Sequence, residues 1–597
     1  MSAVVAHDVC IETRADGGLL LSSAIAPRPC VTSTGDWLHR WAEEAPRRVF
    51  LAERHGAGWR EEPYDATLQQ VRALAAALLG RGLTAETPVA VLSGNGVDHG
   101  LLALAAQYVG IPIVPLAEQY SLIPEAHGRL IEALALVRPG MIYVSDATRY
   151  AGALALDALE GVEIVASRPE GAPRPVTPFA DLLKGDASAD LATAHAAVGP
   201  DTLAKILLTS GSTSNPKGVL TTQRMMCVNQ AQIAAVLPFL SERPPVLLDW
   251  LPWNHVFGGS HNFNMMLAHG GSLYIDDGKP VKPLFARSVE NLRMVAGTLA
   301  MNVPVGYALL LEALREDQDL KRRFFEDLDL IFYAGASLPA ETWGGLERMA
   351  MEIRGKVPMM ISSWGMTETA PATIMVHETI GGAGVIGVPL PDVRVKLLPL
   401  AEDRFELRVA GPNIMPGYHH DPGKTEAAFD EEGFLVTGDA VKLRDPGNPN
   451  AGLLFDGRTS EDFKLSTGTW VRAANLRLAV LGALDGLVQD VVVTGQDRAE
   501  IGLLIFPLPA ALAGAGDGPV LKTPALSAEI AARLRVGMEH AGSSMRVARA
   551  LLMAEPPSVK DGEITPKGSL NSRSILTRRA ALVDRLYDDA DPAVIRP

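Results

Sequence analysis

Hydrophobic positions over the first 150 residues follow two alternating spacings. Trp37, Leu38, Trp41 and Ala42 recur at helical intervals, as do the apolar residues of 68–79. Between such segments lie short continuous apolar runs: PVAVLSGN, closing on Ser93-Gly94-Asn95, then IPIVPL and MIYVSD. Runs of this length bounded by turn residues predict strands buried on both faces. LLALAAQYVG and residues 129–137 return to helical spacing. The rhythm predicts an α/β fold with largely parallel sheets. Residues 1–35 predict a lead-in with a strand or two. Residues 168–202, rich in Pro, Gly, Ala and Asp, predict a surface connection. After about Gly381 the pattern shortens to VRVKLLPL, FELRVAG, GFLVTGDAV and GLLFDG, a β-rich section. Beyond Gly457-Arg458, strands (VVVTG, IGLLIF) and a helix over 527–541 predict a small α+β domain, with a loop over 508–524. The predicted architecture is a large N-terminal domain, 1–458, of two packed α/β sheets plus a β-rich subdomain. A small C-terminal α+β domain, 459–597, follows it.

Composition narrows the partners. Of 597 residues 47% are apolar and 21% charged, enough for a large core and unlike a disordered chain. With 54 basic and 69 acidic residues the net charge is −15, which disfavours nucleic acid. Three cysteines, Cys10, Cys30 and Cys227, make neither a disulfide framework nor a cysteine-rich zinc module. The apolar stretch 101–116 is broken by Gln107, Gly110 and Pro112, so no membrane span is expected. Asp8 and Glu12 interrupt the N-terminal stretch, so no signal peptide is expected. A cytoplasmic protein without a membrane partner is the expectation; a homodimer is left open.

Four segments carry candidate chemistry. Leu208-Thr209-Ser210-Gly211-Ser212-Thr213-Ser214-Asn215-Pro216-Lys217-Gly218 joins two apolar runs. Its hydroxyls, backbone amides and lysine suit phosphate oxygens, although its spacing is not that of the GxxxxGK[ST] loop. Ser362-Ser363-Trp364-Gly365-Met366-Thr367-Glu368-Thr369 offers an indole face and a hard carboxylate ligand suited to Mg²⁺. Thr437-Gly438-Asp439 and Gly457-Arg458 offer a carboxylate and a guanidinium for a ribose diol. Each of the last three alone also fits an ordinary turn. Three other patterns are decoys. Gly382 to Gly387 fits GxGxxG, but VPLPDV after it cannot open a helix. His419-His420 lacks further metal ligands, and REDQDLKRRFFEDLDL reads as a solvated helix.

Taken together and in this order, the four segments resemble the adenylate-forming superfamily of acyl-CoA synthetases, luciferases and peptide-synthetase adenylation domains. The resemblance runs from about Trp37 to Arg579. DWLPWNH (249–255), YAGA (333–336), FDGRTSEDFKLSTGTWV and TPKGSLNSRSILTRRA are most similar to feruloyl-CoA synthases. It implies an ATP-dependent, AMP-forming acid–CoA ligase acting on a small aryl acid such as ferulate, with ATP, Mg²⁺ and CoA. It places Thr209, Ser210, Gly211, Ser212, Thr213 and Lys217 on the phosphates, with Thr213 also near the metal. Gly335, Ala336 and Ser337 would flank the adenine on one side, and Trp364 on the other, continued by Gly365, Met366 and Thr367. Glu368 would bind Mg²⁺, and Asp439 and Arg458 the ribose. His255 would orient the carboxylate, Gly468 would let CoA approach, and Trp253, His255, Phe257, Asn302 and Trp364 would line the acyl pocket. The C-terminal domain would be a mobile lid.

The chain departs from the family pattern at four positions. Ser214 stands where glycine is common, and Trp364 where tyrosine is common. Ser460 stands at the hinge, where Asp or Lys is usual. The usual T-x-x-G-K ending reads Thr565-Pro566-Lys567-Gly568-Ser569. Lys567 is the candidate catalytic lysine; Lys560, or no lysine at all, are the alternatives.

Overall fold

A computed structural model describes residues 5–597 except 185–188, 210–215, 336–337, 401–402, 460, 509–517, 539–541, 559–560 and 565–569. The expected roles of Ser210, Gly211, Ser212, Thr213, Ala336, Ser337 and Lys567 therefore lie outside the described residues, as do Ser214, Ser460 and Lys560. The chain divides into two compact units. The larger is Met1–Pro399 with Leu407–Thr437 and Leu443–Leu454; the smaller is Leu400–Glu406, Gly438–Lys442 and Phe455–Pro597. The division falls inside three strands, Phe405–Ala410, Leu435–Leu443 and Leu453–Arg458.

In the larger unit one sheet runs in the order Lys217–Thr222, Leu203–Thr209, Ile113–Pro115, Val89–Val91, Met141–Asp146, Glu163–Arg168, Thr177–Pro178. All its neighbours are parallel except the first two, which form a hairpin. Leu92, Val114, Leu130, Val144, Tyr150 and Ile206 fill its core. The apolar stretch near residue 101 is the helix Val97–Tyr108, buried at every position except Asp98. Full burial inside an α/β layer explains its composition. No helix among the described residues is long and apolar enough to cross a membrane.

The second sheet contains parallel strands Val49–His55, Ser272–Ile275, Val246–Asp249, Leu299–Asn302, Leu330–Tyr333 and Met359–Gly365. It turns antiparallel at Ala372–Met375 and continues through the β-rich section to the lead-in strands Leu19–Ser23 and Val9–Thr13. The β-rich section is thus a continuation of this sheet. The connection over 168–202 carries short elements, the strand Thr177–Pro178 and helices Phe179–Leu182 and Ala189–Ala196.

The smaller unit centres on strands Val488–Thr494, Ile501–Pro507 and Val547–Leu552. Alternation along the first strand sends Val491 and Val493 into one core with Leu476, Val480, Ile530 and Leu534. Val492 enters the other, with Phe506, Ile575 and Leu586. The helix predicted over 527–541 is Pro524–Gly537 and opens on a proline, whose missing N–H costs nothing at a first turn.

Candidate active site

Parallel strands end where their carboxyl-terminal loops can form a crevice, and ligands of open α/β sheets bind there. Three adjacent parallel strands end together here. Leu299–Asn302 pairs with Leu330–Tyr333, Asn302 opposite Tyr333, and Leu330–Tyr333 pairs with Met359–Gly365, Tyr333 opposite Ser362. Asn302, Gly335 just past the second strand, and Trp364-Gly365 therefore share one end of the sheet. Gly335 has φ +88°, a left-handed position that favours glycine. Trp364 is 6% exposed. A Cβ on Gly365 would overlap the carbonyl oxygen of Pro371, so the turn carrying Glu368 needs glycine at its start.

That turn, Thr367–Thr369, is tied down on both sides. Thr369 Oγ1 accepts from Met366 N at 3.0 Å, Met415 N donates to the Glu368 carbonyl at 2.8 Å, and Asn413 Nδ2 donates to the Thr369 carbonyl at 2.8 Å. Glu368 is 6% exposed. Tyr418 donates its hydroxyl to Glu368 Oε1 at 3.0 Å. Burial and the Glu368 charge push the Tyr418 phenol well above its ordinary pKa, which keeps it a donor.

Tyr418 also ties this carboxylate to the phosphate-loop candidate. Thr209 and Lys217 are cross-strand partners in the antiparallel pair Leu203–Thr209 and Lys217–Thr222, as the flanking apolar runs predict. Lys217 Nζ lies 4.7 Å from the Tyr418 ring centre. His419 N donates to the Gly218 carbonyl at 2.7 Å, and Leu220 N to Gly417 at 3.2 Å. The segment around Tyr418 is thus an extra edge on the hairpin, and a cation, a phenol and a carboxylate stand in line. In the sequence, the pair His419-His420 draws attention here and Tyr418 does not. Its only local signal is an aromatic next to a glycine.

Asp439 and Arg458 belong to the smaller unit. Arg458 Nε is 3.5 Å from Asp439 Oδ1; the carboxylate side chain is 10% exposed and the guanidinium 64%. Gly438 has φ +73°, and its carbonyl accepts from Thr459 N at 2.9 Å, fixing the two motifs side by side. Gly468, φ +91°, turns between strands Phe463–Lys464 and Trp470–Val471.

Among the acyl-side candidates, Phe257 lies on an irregular helix that Trp253 and His255 lead into. The His255 carbonyl accepts from Gly259 N at 2.8 Å, and a wide π turn, Phe257–Asn262, follows before the helix Phe263–Ala268. Such turns are frequent at functional sites. Phe257 lies 5.5 Å from Phe332 and 5.6 Å from His261. Trp253, 4% exposed, stands edge-on to His99 and Phe263, both at 5.0 Å, in the packed interior. Asn302 Oδ1 accepts from Trp250 Nε1 at 3.0 Å and Val303 N at 2.9 Å, at the start of helix Pro304–Glu316. Three further residues complete this side. Buried Lys205 donates to the Gly259 carbonyl and lies 3.4 Å from Ser260 Oγ; burial pushes its pKa down to about 7. Buried Asp249 accepts from Asn262 Nδ2 at 2.8 Å, with its pKa pushed up to about 7 by burial. His261 is the third. The only trace of Lys205 in the sequence is a lysine inside the apolar run AKILL.

Residues 38–419 match the AMP-binding enzyme family, and residues 462–591 match the AMP-binding enzyme C-terminal domain. The chain belongs to the AMP-binding enzyme family. A 3-[(3aS,4S,7aS)-7a-methyl-1,5-dioxo-octahydro-1H-inden-4-yl]propanoyl:CoA ligase of Rhodococcus jostii (strain RHA1) is 25% identical over 72% of this chain and 81% of its own. Long-chain-fatty-acid–CoA ligase 1 of Homo sapiens is 27% identical over 46% of this chain and 43% of its own. The fold is shared with the adenylation domain of a carboxylate reductase from Mycobacterium chelonae, at TM-score 0.71, 20% identity and 95% and 94% coverage. It is shared too with O-succinylbenzoate coenzyme A synthetase from Bacillus subtilis in complex with AMP, at TM-score 0.67, 18% identity and 92% and 98% coverage. The chain is thus an adenylate-forming enzyme of the acid–CoA ligase type, and ATP, Mg²⁺ and CoA are the set such ligases use. The residues described fit a metal-bound nucleotide: Glu368 offers a buried, oriented carboxylate and Lys217 a cation at the neck of the hydroxyl-rich hairpin. Mg²⁺ takes one or two carboxylates together with phosphate oxygens and would supply charge neutralisation there.

Proposed function

We propose that this enzyme activates a hydroxycinnamate such as ferulate and transfers it to CoA. Residues 1–458 would form the ATP- and acyl-binding domain, and residues 459–597 its lid. The observation that supports the ATP-dependent part of the reading is the chain of contacts Lys217–Tyr418–Glu368, which sets a fixed carboxylate near the lysine of the phosphate-loop candidate. In the first step the acid's carboxylate oxygen attacks the α-phosphorus of ATP. The bond to the β-phosphate oxygen breaks, and acyl-adenylate and pyrophosphate result. In the second, the CoA thiolate attacks the acyl carbon and AMP leaves. Both steps need positioning and charge stabilisation more than proton transfer. Thr209 to Lys217 would hold the phosphates, Glu368 with Thr213 the metal, Gly335, Ala336, Ser337 and Trp364 the adenine, and Asp439 with Arg458 the ribose. His255 would orient the carboxylate. Lys567 would offset its charge, so Lys567→Ala should cut adenylation at least about a hundredfold and spare thioester formation from added acyl-adenylate. Equal adenylation in variant and wild type would exclude Lys567.

The relatives' names span a bicyclic propanoic acid and long-chain fatty acids, so the hydroxycinnamate rests on the resemblance of segments such as DWLPWNH and FKLSTGTWV. The test is pyrophosphate release with Mg·ATP across cinnamic, benzoic and fatty acids, with and without CoA. Release with ferulate or a relative, plus its CoA thioester by mass spectrometry, is expected. Release without a thioester would favour loading of a carrier protein, and tight ATP binding without release a regulatory role.

A further inference from the structure

His261 is 1% exposed, and its Nε2 has no hydrogen-bond partner among the described residues. A buried polar atom left without a partner is costly, so a native one needs an explanation. Its protonation state follows from its neighbours. Asp249 accepts from Leu251 N at 3.0 Å and from Asn262 Nδ2 at 2.8 Å. Asn262 therefore turns its amide oxygen toward His261 Nδ1, 2.9 Å away. Only a ring proton on Nδ1 satisfies that contact, so Nε2 is a lone pair waiting for a donor. Burial lowers the pKa of the ring to about 4, which keeps it neutral at physiological pH.

The surroundings say what kind of donor. The His261 ring stacks on Phe332 at 5.0 Å, and Phe257 stands edge-on at 5.6 Å. Phe332 lies on strand Leu330–Tyr333, one of those that end at the candidate site. Phe257, an acyl-side candidate, shares the π turn Phe257–Asn262 with His261. An acceptor between aromatic faces on that turn suits a hydroxyl on an otherwise apolar acyl group.

We infer that His261 Nε2 accepts a hydrogen bond from a hydroxyl carried by the acid substrate, and that this contact selects hydroxylated acids over their deoxy and O-methyl counterparts. The inference rests on the ligase reading and goes beyond it by naming the residue and atom that read the substrate. A site built to bond a hydroxyl rejects analogues without one far more strongly than an apolar pocket rejects a missing methylene.

The experiment measures kcat/KM for pyrophosphate release in matched triplets, hydroxyl, hydrogen and methoxy, built on cinnamic, benzoic and fatty acids, with the hydroxyl at each ring position or at the chain end. In the best-used class the hydroxyl acid should exceed both partners by at least about tenfold. His261→Phe should bring the three within about twofold. His261→Gln, which keeps an acceptor, should retain part of the preference, with melting temperature checked in both variants. Equal turnover of hydroxyl, hydrogen and methoxy acids by the wild type overturns the inference while leaving the ligase reading intact. So does a preference that survives His261→Phe in a folded variant. No release from any acid overturns the ligase reading, and this inference with it.

Discussion

The proposed nucleotide side and the proposed acyl side of this site are built in different ways. On the proposed nucleotide side, the candidate residues sit at strand ends close in sequence: Thr209 and Lys217, paired across two strands, and the turn from Gly365 to Thr369. On the acyl side, the string 249–262 depends on a partner outside it as well as on contacts within it. His261, Asn262 and Asp249 form one buried relay, while Lys205 holds the π turn from a strand of the other sheet. The difference teaches that generic phosphate chemistry can be written in contiguous backbone turns. Selection among acids needs side chains brought from several elements into one low-dielectric interior.

Substituting Glu368 by Gln tests the nucleotide side most severely. Shape and the Tyr418 bond survive, the charge does not, and pyrophosphate release should fall about 100- to 1,000-fold with an almost unchanged melting temperature. Near-normal release would remove Glu368 from the metal site.

Acid should strike the acyl side first. Burial holds His99, His261 and His269, which surround the π turn and its helix, near pKa 4. Below pH 6.5 the unfolded chain takes up protons that these folded rings refuse, so stability falls as pH drops toward 4. Asp249 acts in the opposite sense: with a folded pKa of about 7 it holds a proton that the unfolded chain lacks until about pH 4. His377, lowered by burial to about 4 as well, adds to the three, so the histidines outweigh Asp249 and stability falls by about 3 kcal/mol or more between pH 6.5 and 5. Thermal melts across that range should show it, and a flat profile would deny the histidines their buried neutral state. Lys205 works only above pH 7, where its lowered pKa makes stability rise with pH toward its unfolded value.

A smaller effect separates the metal from its support. Tyr418→Phe removes one hydrogen bond to the Glu368 carboxylate, so the Mg²⁺ concentration for half-maximal pyrophosphate release should rise about tenfold. The ranking of acids should stay the same. A changed ranking would mean that the two sides are coupled.

Asn302 stands on the border between them. Asn302→Ala loses the bonds to Trp250 Nε1 and Val303 N, and should cost about 1 to 2 kcal/mol of stability with KM for the acid unchanged. A raised KM without loss of stability would place Asn302 in the acyl pocket instead.

The legible part of the molecule follows this division. The alternation of apolar runs and helical spacing announced the parallel sheets, because a strand buried on both faces must be apolar throughout. Val97–Tyr108 reads correctly as a buried helix once its length and interruptions are weighed. The hairpin and the Glu368 turn were legible because their chemistry sits in adjacent residues. Tyr418 was not, since it reaches Glu368 across 50 positions, and neither was Lys205, whose carbonyl partner lies 54 positions away. His261 looks in sequence like one more polar residue on a glycine-rich helix start. Its meaning depends on which of its nitrogens finds a partner.

By itself, then, the sequence determined the α/β architecture and the order of the candidate nucleotide-binding turns, because periodicity and turn chemistry act over a few neighbouring residues; the resemblance of its motifs pointed to the family. The tertiary structure alone decided that Tyr418 bridges Lys217 and Glu368, that Trp253 is packed inside, and that His261 Nε2 is buried without a hydrogen-bond partner among the described residues. Burial and hydrogen-bond satisfaction depend on the whole surroundings of an atom, which a linear pattern does not contain.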